Sequence, residues 1–203
     1  MKKFFYLFLI SGFMLSSCEL EDENNPNGGG GNDGGGNNNN QTEEGLVQPF
    51  NVSLSYTSTS LTAMSAFDAD DLKTVGVSNS AADVCLGWQN NYGYFMSSPN
   101  GSLIKECYSF NDLTLTNSNS TTVANLGQVS LSNYDDASEL KSLSVSSGSI
   151  SDLPGKNQVL VNSGDVIAFQ KGNVKGVGQV TGLSKVTKKI TFKGYVYNPS
   201  AAK

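Results

Sequence analysis

Beyond residue 50, apolar and polar side chains repeat with a period close to two. Val52, Leu54 and Tyr56 alternate with Ser53, Ser55 and Thr57, as in a strand with one buried face. Val84-Cys85-Leu86-Gly87-Trp88 is a denser apolar run that suits a central strand. Asn90-Asn91 supplies a turn, and Tyr92 to Met96 returns as the partner strand. Pro99-Asn100-Gly101 makes the next turn, after which Leu103, Ile104, Cys107 and Tyr108 continue the series as a further strand. In the last third, a run over 165–170, a turn at Lys171-Gly172-Asn173, a run over 174–183, a turn over 184–188 and a run over 189–197 predict an antiparallel meander. Ile167, Phe169, Val177, Ile190, Phe192, Tyr195 and Tyr197 are its candidates for the core and rim.

One segment breaks the period. Asn133-Tyr134-Asp135-Asp136-Ala137-Ser138-Glu139-Leu140 predicts a short helix with Asn133 as N-cap and carboxylates in the first turn, where the helix dipole favours them. The expected fold is all-β, an antiparallel β-sandwich or partly open barrel of about eight to ten strands with at most one short helix. Residues 45–203 form a single β-rich domain on this reading. At 37% hydrophobic and 15% charged, the chain has enough apolar material for a core.

The N-terminus is of a different kind. Lys2 and Lys3 precede an apolar run over residues 4–15. That run is shorter than the roughly 20 residues a membrane-spanning helix needs, which favours a cleaved export signal over residues 1–17. Residues 18–44 form an acidic, Gly/Asn-rich tether. Its segment 24–40 has nothing to bury and is expected to remain a coil with a reach of about 20–25 Å.

Charge and missing residue types narrow the chemistry. The chain of 203 residues has no His, every basic residue is Lys, and the formal charge is −5. The absence of His removes the usual general base, the usual zinc ligand and every Ser-His-Asp or Cys-His arrangement. The absence of Arg removes the bidentate phosphate fork, and the net negative charge opposes nucleic acid as a partner. Neither a metal nor a cofactor is expected.

Leu15-Ser16-Ser17-Cys18 resembles the bacterial lipobox, which implies diacylation of Cys18 with fatty acids such as palmitate, and cleavage that makes it the new N-terminus. The bland alternative is an ordinary secretory signal with a coincidental Cys. The cluster Glu19-Leu20-Glu21-Asp22-Glu23 resembles the export signal of Bacteroidota surface lipoproteins, which implies an address on the outer face of the outer membrane. A merely solvated start of a linker is the plainer reading. Gly164-Asp165-Val166-Ile167-Ala168-Phe169-Gln170 and the final strand resemble the C-terminal end of many uncharacterised Bacteroidota lipoproteins, and of the HmuY-like group of haem-carrying surface lipoproteins. Haem ligation by a His pair, which that group uses, is closed to this chain. Met64 and Met96 are the only soft substitutes, and core packing explains both better.

Several constellations remain as candidate sites. Trp88, Tyr92, Tyr94, Phe95 and Tyr108 cluster in sequence around Asn90 and Asn91. Flat rings for the C–H face of a sugar, with amides for its hydroxyls, are what a glycan platform needs; plain core is the alternative. Cys85 and Cys107 are equally compatible with a disulfide and with two free thiols. Asp68, Asp70 and Asp71 offer oxygen ligands but fail the EF-hand spacing, so solvated loop carboxylates are expected. With Glu106 and Asp112 they are also the only pool for a two-carboxylate glycosidase. Lys185, Lys188, Lys189 and Lys193 read as a charged turn and strand edge, or as a contact for an acidic polysaccharide.

Together these features predict a lipid-anchored outer-membrane surface protein that acts as a non-catalytic binding or adhesion module, with a glycan as the favoured ligand class. The alternatives are an envelope lipoprotein with another outer-membrane protein as partner, and a hydrolase working with carboxylates alone.

Overall fold

The computed structural model describes residues 46–57, 64–109, 119–150 and 155–201. The leader, Cys18 and the tether lie outside the described residues, as do Asp112 and the side chain of Tyr108. β1 (Val47–Ser55) buries Phe50, Val52 and Leu54 and turns Pro49, Asn51 and Ser53 outward, so the period of two is an alternation of faces. It is an edge strand, which accommodates Pro49 and its missing N–H.

The C-terminal meander forms as expected. β8 (Val166–Lys171) turns through Gly172 and Asn173 into β9 (Val174–Ser184), and β10 (Lys189–Tyr197) returns along it. With β6 (Thr122–Gly127) they complete a five-stranded antiparallel sheet in the order β1-β10-β9-β8-β6. The second sheet holds β2 (Ser65–Asp68), β3 (Lys73–Gly76), β4 (Val84–Gln89), β5 (Gly93–Ser97) and β7 (Gln158–Leu160) in the order β3-β2-β4-β5-β7. The two sheets form a β-sandwich.

Four phenylalanines join the layers. Phe50, Phe169 and Phe192 come from the first sheet and Phe67 from the second, with ring centroids between 4.5 and 6.3 Å apart. A ring set of this kind buries large apolar area and adds edge-to-face attraction. Space for it comes from β9, where a Cβ at Gly176 would run into the Phe169 ring and one at Gly178 into Phe192 and Phe50. Met64 and Met96 are buried in this same core. The outer face of the first sheet is covered as well: Val166, Ala168 and Val177 pack with Ala137, Leu140 and Tyr197 under α2 (Ala137–Ser142). Val177 and Tyr197, read as core of the sandwich or its rim, belong to this outer layer.

Two sequence readings need correction. The stretch after Pro99-Asn100-Gly101 is a helix, α1 (Ser102–Ser109), where a strand was expected. Its buried residues Leu103, Ile104 and Cys107 follow a helical period, and the Gln158 side chain caps it by accepting from Leu103 N–H at 3.0 Å. The later helix starts three residues beyond the expected cap. Leu131–Tyr134 forms a 3-10 turn, and Asp136, in place of Asn133, caps α2 by accepting from Ser138 N–H. The sandwich therefore carries two short α-helices where at most one was expected. Among the described residues no helix is long and apolar enough to cross a membrane.

Candidate functional site

Two hairpin turns from different sheets meet at one place. The turn between β4 and β5 carries Asn90, Asn91 and Tyr92; the turn between β9 and β10 carries Lys185, Val186, Thr187 and Lys188. They are joined by the Tyr94 hydroxyl, which donates to the carbonyl of Ser184 at 2.8 Å, and by the Lys188 ammonium, 4.2 Å from the centroid of the Trp88 ring. Lys188 also faces Tyr56 at 5.7 Å, and its carbonyl accepts from Tyr56 N–H at 2.9 Å. The backbone of Lys188 is left-handed, with φ of 50°, an uncommon state for a residue with a side chain.

The aromatic group read from the sequence thus divides. Phe95 and Tyr94 are buried and structural, Phe95 fully and Tyr94 through its bond to Ser184. Trp88 and Tyr92 are half-buried with their inner sides against the core, and Asn90 and Asn91 are exposed. The lysine turn, which the sequence presented as a separate feature, lies over Trp88. No periodicity in one strand reports such a contact, because Trp88 and Lys188 are a hundred positions apart. Lys193 stands away from this turn, exposed on β10 opposite Asn51 and Gln179.

The acidic segment is also more structured than its sequence suggests. Asp68 is buried, with its carboxylate accepting from the N–H groups of Asp70 and Asp71 at 3.1 and 3.2 Å. Asp83, which the sequence did not single out, is fully buried and accepts from Ala69 N–H at 2.9 Å. Carboxylate oxygens of Asp68, Asp70 and Asp83 lie within 4.8 Å of one another. The positive charge beside them belongs to the protein: Lys171 reaches Asp83 at 2.8 Å and Asp70 at 2.9 Å, and Lys73 pairs with Asp71. Asp68 is therefore not the solvated loop carboxylate expected, whereas Asp70 and Asp71 are exposed. Like charges this close to two ammonium groups are held as an ion-pair network.

Burial raises the Asp83 carboxyl above its ordinary value, with Lys171 and the Ala69 amide acting against the rise. Burial pulls Lys171 down, but its hydrogen bonds to Asp83 and Asp70 outweigh this and leave it above the usual ammonium value. The two shifts pull in opposite senses on one pair. We take the pair as ionised at neutral pH, because Lys171 stays partly exposed while Asp83 has three donors around it.

Cys85 and Cys107 are not joined by a disulfide in the structure. Cys107 Sγ donates to the carbonyl of Trp88 at 3.8 Å, three residues along β4 from Cys85, or about 10 Å at the rise of a strand. The two sulfurs address different parts of the strand. Burial pushes the Cys107 thiol up to about 12, helped by Glu106, and pushes Cys85 up further, helped by Asp83. Thiols of this kind are poor nucleophiles at neutral pH.

Comparison of the chain with protein-family models, with curated proteins and with solved structures returns no match.

Proposed function

We propose that this chain is a lipid-anchored surface protein, exported by residues 1–17 and held at the outer membrane through an acylated Cys18, whose β-sandwich is a non-catalytic carbohydrate-binding module. The observation that carries the binding reading is the exposed amide pair Asn90 and Asn91 beside the half-buried rings of Trp88 and Tyr92. Amides can exchange hydrogen bonds with sugar hydroxyls while a ring edge or face covers C–H groups. The turns that present them are locked to a packed scaffold, which keeps the ordering cost of binding low.

A glycan array probed with the full-length protein tests this reading, with Tyr92→Ala and the double change Asn90→Ala, Asn91→Ala as controls. Binding to a defined set of oligosaccharides that both variants lose supports it; an array with no signal, or one that both variants reproduce, removes it. The anchor is tested separately by metabolic labelling with a fatty acid, which Cys18→Ala should abolish.

A second reading, a protein partner in the envelope, is favoured by one feature. A surface groove of about 600 Å³ runs between the sheet-edge strands β6 and β7, lined by Ala124, Asn125, Leu126, Ser147, Val159 and Leu160. Leu160 is 38% exposed there. Gly148 and Asn125 already bond backbone groups of these edges, so a partner would dock on the apolar side chains of the groove. Co-purification of an outer-membrane protein that Leu160→Lys prevents would support this reading over the glycan.

A further inference from the structure

We infer that the ligand of the joined turns is an anionic glycan, one that carries carboxylate groups, and that Lys188 is the residue selecting it. This rests on the carbohydrate reading above and narrows it. A neutral sugar stacking on Trp88 would compete with an ammonium already seated 4.2 Å from the ring centroid. Displacing that ammonium forfeits a cation–π contact, whereas a carboxylate approaching from the solvent side keeps it and adds a charge-assisted bond. Among the described residues no carboxylate and no hydrogen-bond acceptor takes the Lys188 ammonium, and Lys188 itself is half-buried against the two rings.

The backbone points the same way. Lys188 holds a left-handed φ of 50°, which costs energy in a residue with a Cβ, and its carbonyl is pinned by Tyr56 N–H. The pinned backbone fixes where the Lys188 side chain leaves the turn, and its ammonium lies over the indole. Lys185 and Lys189 flank it and are exposed, and Asn90 and Asn91 stand on the facing turn to take hydroxyls. Val186, 94% exposed at the crest of the lysine turn, offers apolar surface to the C–H groups of a chain of sugars.

The whole-chain charge of −5 does not oppose this. Seven of the eighteen acidic side chains lie in residues 19–44 and two of the thirteen lysines in the leader, leaving eleven of each from residue 45 onward. The domain is neutral and its lysine turn is a local positive patch. A membrane surface is the weaker fit, because one exposed valine is little to insert into a bilayer.

Trp88 is the only tryptophan, so intrinsic fluorescence reports on this site directly. The full-length protein is titrated with oligogalacturonate, with its fully methyl-esterified form and with free galacturonate, and its Cys18→Ala variant, which has no acyl chain to insert, with phosphatidylglycerol vesicles. The expected result is a saturable fluorescence change with oligogalacturonate that weakens as salt rises, and a response to the neutral ester weaker by about tenfold or more. Lys188→Met, which keeps the apolar stem on the indole, should lose that preference, and Lys193→Ala should keep it. Both variants are checked for an unchanged melting temperature, and Lys185→Ala gives a second reading of the turn should Lys188→Met be unstable. Equal binding of acid and ester overturns the charge inference and leaves the carbohydrate reading standing. No response to either oligomer overturns the charge inference, and the glycan array then decides the carbohydrate reading by itself. A monosaccharide or vesicle response equal to that of the oligomer overturns the inference in favour of a simple anion site or a membrane contact.

Discussion

Lys171 and Asp83 meet at 2.8 Å across the sandwich, the lysine from the β8–β9 hairpin of one sheet and the aspartate from the loop before β4 in the other. Asp83 is fully buried and Lys171 is only partly exposed, so the contact ties the two layers together. Asp70 shares the same ammonium at 2.9 Å, and Lys73 serves Asp71 beside it.

Breaking that contact from the lysine side leaves a buried carboxylate without its counter-charge. Lys171→Met is expected to cost about 2–4 kcal/mol, the lower end reflecting the partial exposure of the lysine. Asp83→Asn in the same chain should recover part of the loss, since it removes the stranded charge. Urea unfolding of the two single variants and the double variant measures this coupling; additive losses would show that the pair does not act as a unit.

The stability of the fold should carry a pH signature of Asp83. Burial raises its carboxyl above the ordinary value of 3.8, so in the window just above 3.8 the folded chain holds a proton that the unfolded chain has released. There the unfolded state binds fewer protons, and the contribution of this group to stability falls as pH rises through the window, then stays flat above it. The stability difference between the wild type and Asp83→Asn, measured from acid to neutral pH, should decline in that direction. A rise instead would mean that Lys171 outweighs burial and depresses the carboxyl.

Cys85 and Cys107 should be silent in the folded protein. With Cys107 pushed up to about 12 and Cys85 higher still, almost no thiolate exists at neutral pH, and both sulfurs are buried. Iodoacetamide is expected to leave both unmodified under native conditions and to label both once the chain is unfolded. A native mass lower by two hydrogens, with no labelling after unfolding, would show a disulfide in their place.

The glycines of β9 are expected to behave unlike others. Gly178→Ala puts a methyl against Phe192 and Phe50 at the centre of the core, and overpacking of this sort costs about 1–3 kcal/mol. Gly76→Ala meets nothing within 4 Å and should be close to neutral. Thermal melts of the two variants give the comparison directly.

Much of the sandwich was legible in the residues because strands with one wet face advertise themselves by alternation. β1, β8, β9 and β10 fell close to where the period of two places them. α1 was missed because Leu103, Ile104 and Cys107 over eight residues fit a strand nearly as well as a helix, and what decides for helix is a cap from Gln158, fifty-five residues away. α2 was misplaced at its start because Asn133, Asp135 and Asp136 are all competent caps, and only the backbone selects Asp136.

Residue types and local spacing alone determined the class of fold, the exclusion of His and Arg chemistry, and the expectation of an acylated Cys18. Those follow from composition and from patterns contained in a few consecutive residues. Tertiary structure decided which aromatics are core and which reach the surface, that Cys85 and Cys107 form no disulfide, that Asp83 shares Lys171 with Asp70, and that the ammonium of Lys188 sits over Trp88. Each of these is a contact between segments far apart along the chain. Such contacts are set by the register and packing of two sheets, and no local pattern encodes them.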